Sequence, residues 1–97
     1  MADAPPSIAS PTAARSASVF RFAFSDPPRA KESRERREAV ADYLAVWEGA
    51  TILAEQRERG RCWLWLRLAR PASIAGTRDF LTECPHYTPR SFKVVSG

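Results

Sequence analysis

The chain has 97 residues, 44% of them apolar and 27% charged, enough for one domain with a modest core and no more. Its net charge is +4 with a pI near 9.7, and arginine fills every basic position except Lys31 and Lys93. That balance suits a polyanionic partner, because the planar guanidinium fits phosphates and stacked bases better than an ammonium does. The same numbers exclude a wholly disordered chain. No apolar run approaches the length needed to cross a membrane, and the N-terminus lacks the basic start and hydrophobic segment of a secretory signal. Cys62 and Cys84 have neither the spacing of a zinc site nor a disulfide framework, so they read as two buried thiols in a reducing, intracellular compartment. Organellar import stays open, since the first residues are rich in Ala and Ser and include Arg15, although Asp3 and the single arginine count against it.

Residues 1–18, MADAPPSIASPTAARSAS, show no apolar period and read as a flexible tail, leaving 19–97 as the domain. Order is expected from SVFRFAFS, where Phe20, Phe22 and Phe24 alternate with Arg21 and Ala23 as in a half-buried strand. Ser25-Asp26-Pro27-Pro28 ends that strand. A helix follows from Ala30 to Glu48, with Val40, Tyr43, Leu44 and Trp47 on one stripe. Its first half, KESRERRE, has Glu32–Arg36 and Arg34–Glu38 at i,i+4 spacing and reads as a solvated face, with a phosphate-contacting patch as the alternative. Gly49 supplies the stop. ATILAEQR, 50–57, is a second strand, and Glu58-Arg59-Gly60 is a hairpin turn. The third strand is GRCWLWLRLARP, ended by Pro71 and Ser73, which caps a second helix. In that helix Ile74, Thr77, Phe80, Leu81 and Cys84 share a face until Pro85 stops it. After the loop HYTPR, SFKVVS is the last strand.

The order strand, helix, strand, strand, helix, strand implies two right-handed halves. They combine into an α+β, ferredoxin-like βαββαβ sandwich, with a four-stranded antiparallel sheet and both helices on one face. The other face is then left open. With Phe20, Phe22, Phe24 and the Cys62, Leu64, Leu66, Leu68 set turned to the helices, the open face carries Arg21, Arg61, Trp63, Trp65 and Arg67, joined by Lys93 from an edge strand. Aromatic rings framed by cations are what single-stranded nucleic acid needs: rings stack bases and arginines hold phosphates.

RCWLWLRL resembles the third-strand signature of the RNA-recognition motif, with Arg61 at the basic position, Trp63 and Trp65 at the exposed aromatic positions and Leu66 at the aliphatic one. LAVWEGATIL is similar to the end of that family's first helix. The resemblance spans 18–96 and implies a non-catalytic domain that binds single-stranded RNA, or DNA, through Arg61, Trp63, Trp65, Arg67, Arg21 and Lys93. Cys62, Leu64 and Leu68 depart from the pattern. So does VFRFAF: either Phe20 is a third stacking ring and Arg21 points inward, or the three phenylalanines are core. The second alternative avoids burying an unpaired arginine.

The same face also suits a protein partner, either a second copy of the chain or a larger assembly, since tryptophan and arginine dominate interface hot spots. A viral or phage accessory inhibitor is one such case. Enzyme chemistry has little to build on, and no cofactor or metal site is expected. His86 stands alone in a loop, and no phosphate loop, carboxylate pair or nucleophile–base set is visible. EGATILAEQRERG resembles the second strand of replication-initiator nucleases, but the third-strand histidine pair of those enzymes has no counterpart in CWLWL.

Overall fold

The computed structural model describes residues 15–96. It is an α+β structure whose elements in chain order are β1 (Ser16–Ser25), α1 (Ala30–Ala45), β2 (Ala50–Glu58), β3 (Arg61–Ser73), α2 (Ile74–Thr82) and β4 (Lys93–Ser96). The strands form one four-stranded sheet in the order β2-β3-β1-β4, and every neighbouring pair is antiparallel.

The alternating pattern decides which side of the sheet is core, because successive strand residues point to opposite faces. Phe20, Phe22 and Phe24 of β1 are buried, as are Cys62, Leu64, Leu66 and Leu68 of β3. The register confirms a common face: Phe20 lies opposite Leu66, Phe22 opposite Leu64 and Phe24 opposite Cys62. Val40 and Leu44 of α1 and Leu81 of α2 join Phe22, Phe24, Leu64 and Leu66 in one cluster, so both helices supply that layer. Burying one phenylalanine side chain contributes about 1.5–3 kcal/mol, and three consecutive alternate positions make β1 the centre of the core. The phenylalanines are therefore core, and Arg21 lies on the opposite face.

Local chemistry sets the element ends. β1 begins at Ser16, inside the segment expected to be tail, with Ser16 opposite Ser73 and buried Ala17 opposite Ala72. The rest of that expected tail, 1–14, lies outside the described residues. α1 stops at Ala45, three residues before the expected Glu48, and Trp47 sits in the turn that follows. Trp47 still packs on the core, edge-on to Phe80 at 4.7 Å, while Tyr43 stacks on Phe80 and donates its hydroxyl to the Phe80 carbonyl at 2.6 Å. Gly49 takes φ +90, and a Cβ there would stand 3.3 Å from Ala69 Cβ, so the turn needs glycine twice over. The β2–β3 hairpin closes through Arg59 and Gly60, with Glu58 opposite Arg61. β3 continues through Pro71 to Ser73, whose hydroxyl accepts from Gly76 N–H at 3.1 Å and caps α2.

β4 begins at Lys93 rather than Ser91, because Ser91 serves another purpose. Its buried hydroxyl accepts from Ala23 N–H at 2.9 Å and donates to Ala23 O at 3.2 Å, replacing a rung of the ladder beside β1. The charged half of α1 is mostly exposed. Arg36 leaves the expected i,i+4 partner and donates to the Ser25 hydroxyl at 2.8 Å. Behind it, buried Asp26 accepts from Ser33 and from Arg57 at 3.2 Å, tying β2 to the β1–α1 corner. The thiols of Cys62 and Cys84 are buried and free. No helix among the described residues is long and apolar enough to cross a membrane.

Candidate nucleic-acid interface

Directly opposed residues of an antiparallel pair project to the same face, so the ladder shows which side chains share the side away from the helices. On β1 and β3, Val19 opposes Arg67, Arg21 opposes Trp65, Ala23 opposes Trp63 and Ser25 opposes Arg61. Lys93 of β4 opposes Arg21 from the other side. The six residues singled out from the sequence, Arg21, Arg61, Trp63, Trp65, Arg67 and Lys93, thus come together on one face. Arg61, Arg67 and Lys93 are exposed, and Arg21, Trp63 and Trp65 are half-buried.

The half-burial has a specific cause. The Arg21 guanidinium sits 5.0 Å from the Trp63 ring centroid and 6.0 Å from that of Trp65, and Arg61 sits 5.0 Å from Trp63. The cations lie on the indoles, which spreads a positively charged, planar layer across the centre of the sheet. Each exposed cation–π contact is worth about 0.5–1 kcal/mol, little enough for a competing planar ligand to displace it or stack on it. Arg61 is also held by Glu58, Nε to Oε1 at 2.9 Å. The Arg61 pairing holds the Glu58 carboxyl below its ordinary range.

Several residues of this face were not singled out from the sequence. β2 carries a register shift between Ile52 and Ala54, and Leu53 is the additional residue. It is exposed and lines a shallow depression with Val19, Ala54, Gln56, Trp65 and Val95. A second register shift in the β1–β4 pairing brings Val95 there. Bulges are invisible to strict alternation. The sequence signal available was the pair Ile52-Leu53, two adjacent large apolar residues in a strand that can bury only one of them at a time.

On the helix side, α1 leaves β2 partly uncovered. A cleft of about 330 Å³ lies between them, lined by Phe24, Arg37, Ile52, Glu55 and Leu64 among others. Burial pushes the Cys62 thiol up to about 12, with the Glu55 carboxylate adding to the effect, and burial alone pushes Cys84 up to about 12. Neither is an available nucleophile. His86 is exposed and adopts a left-handed backbone at φ 66 in the loop that runs beside β1, where its carbonyl accepts from Ser25 N–H at 2.8 Å.

Compared with known proteins, the chain matches no family model, no curated protein and no solved structure.

Proposed function

We propose that the chain is a ferredoxin-like domain that binds single-stranded RNA, or single-stranded DNA, on its open sheet face and carries out no catalysis. The observation that carries this reading is the ring-and-cation layer: Trp63 and Trp65 flanked or covered by Arg21 and Arg61, with Arg67 and Lys93 exposed at the margins. Base stacking on an aromatic side chain is worth about 1–3 kcal/mol per base, and guanidinium planes stack bases as well. The partial likeness of Arg61, Trp63, Trp65 and Leu66 to the RNA-recognition motif points the same way. The first-strand aromatic of that motif has no equivalent here, since Phe20 is buried. The tandem on β3 therefore has to supply the stacking by itself.

The test is affinity for mixed-sequence single strands across a salt series. Binding at low salt that weakens with salt, and is lost in the Trp63→Ala/Trp65→Ala variant, supports the reading. Absence of binding at low salt, or binding that survives the double substitution, overturns it.

A second reading puts a protein on this face and rests on the apolar shelf of Leu53 and Val95 beside Trp65. Two copies meeting face to face would oppose Arg21, Arg67 and Lys93 with their own counterparts, which disfavours self-association. The partner in this reading is a different chain with an acidic surface, and co-purification of such a chain, with no affinity for oligonucleotides, is its signature.

A further inference from the structure

The open face is not symmetric from edge to edge. Lys93 on β4 and Arg21 on β1 stand side by side, while β2 at the far edge presents Thr51, Ala54, Gln56 and Glu58. The one charge in that β2 set is acidic and already engaged by Arg61. A single strand crossing this surface places its phosphates on the β1–β4 side, where exposed Lys93 stands beside Arg21, and turns its bases across Trp63 and Trp65 toward β2.

Gln56 stands where those base edges arrive. It lies directly opposite Trp63 and lines the depression beside Trp65. It is exposed, and its amide makes no hydrogen bond among the described residues. The depression measures about 610 Å³, within the range of small-ligand sites. Indole faces stack any base and guanidinium groups hold any phosphate, so neither discriminates. An amide offers an acceptor and two donors in one plane, the complement of a base edge.

Building on the single-strand reading above, we infer that Gln56 is the specificity-determining residue of the face: it hydrogen-bonds the edge of the base stacked on Trp65, in the depression that the two residues share, and sets the base preference. A base lies on an indole only when it has left its own stack, so a duplex is not a ligand for this position.

The experiment measures affinities of the full chain for short homopolymers of adenine, cytosine and uracil, each across a salt series. The chain is expected to separate its best and worst homopolymer by about fivefold or more, and Gln56→Leu is expected to shrink that ratio to within about twofold. Because Gln56 is exposed, the variant keeps its fold, which an unchanged thermal midpoint verifies. Lys93→Ala is the control for the opposite edge: it weakens all three homopolymers alike and lowers the salt slope by about 0.7, the single-strand value for one phosphate contact. A preference that persists unchanged in Gln56→Leu, or no preference in the parent chain, overturns the inference. If binding depends on Trp63 and Trp65 but not on Gln56, only this inference fails. If no homopolymer binds at all, the single-strand reading fails with it.

Discussion

β3 presents two chemistries at once, and the contrast between its faces organises the molecule. Toward the helices, Cys62, Leu64, Leu66 and Leu68 are buried against β1 and both helices. Away from them, Arg61, Trp63, Trp65 and Arg67 belong to a layer where guanidinium groups lie on indole rings. The aliphatic face is non-directional, and its stabilisation grows with the area removed from water. The aromatic face leaves much of its area accessible and arranges charge instead. A sheet needs only one face to hold a small domain together, so the second is free to carry recognition. Substitutions on the two faces should therefore separate stability from binding.

The sharpest separation comes from paired truncations. Phe22→Ala, in the centre of the core, is expected to cost about 3–5 kcal/mol in urea unfolding. That is a large share of a small domain's total stability of about 5–15 kcal/mol. Trp63→Ala/Trp65→Ala should leave the urea midpoint nearly in place and remove most of the oligonucleotide affinity, at about 1–3 kcal/mol per stacked base. If the double substitution unfolds the domain as Phe22→Ala does, the two faces are not independent.

A smaller effect tests the corner that fixes β2 to the core. Asp26→Ala removes the acceptor shared by Ser33 and Arg57, with an expected loss of about 1–3 kcal/mol in the same unfolding assay. Gly49→Ala is expected to cost about 1 kcal/mol, from the left-handed backbone and the tight approach to Ala69.

At alkaline pH the stability reports on the buried face. Both thiols are pushed from the ordinary 9.0 to about 12 in the folded chain. Their contribution is complete below pH 9 and is lost as pH rises from 9 toward 12, because the unfolded chain ionises first. A Cys62→Ser/Cys84→Ser chain should lose less stability across that window, read from urea midpoints at a series of pH values. The reactivity of the thiols at pH 8 should likewise appear only with denaturant.

The faces were legible in the sequence because period-two patterning is a direct consequence of strand geometry. Phe20, Phe22 and Phe24 and the two alternate sets of β3 needed nothing beyond it. What escaped was chemistry that substitutes for regular structure. The Ser91 hydroxyl stands in for a ladder rung at Ala23, sixty-eight residues away in sequence, and no local pattern announces such a bond. Asp26, Ser33 and Arg57 meet only when α1 and β2 are in place. The bulge at Leu53 moves an apolar side chain to the outer face against strict alternation. For the site, residue types and face were readable, but the cation–π layering depends on the register that sets Arg21 opposite Trp65. The placement of Gln56 follows from the β2–β3 register, which sets it opposite Trp63, and nothing in ATILAEQR distinguishes it.

The molecule contains an internal control for its central claim. Trp63 and Trp65 lie on the outer face, whereas Trp47 packs on the helix side against Phe80. The most direct measurement is a titration of isotopically labelled chain with a short single-stranded RNA at low salt, following the three indole N–H resonances. Binding on the open face predicts that the Trp63 and Trp65 signals shift together and saturate while the Trp47 signal stays in place. A shift of Trp47 alone, or no movement of Trp63 and Trp65 at saturating RNA, would contradict it.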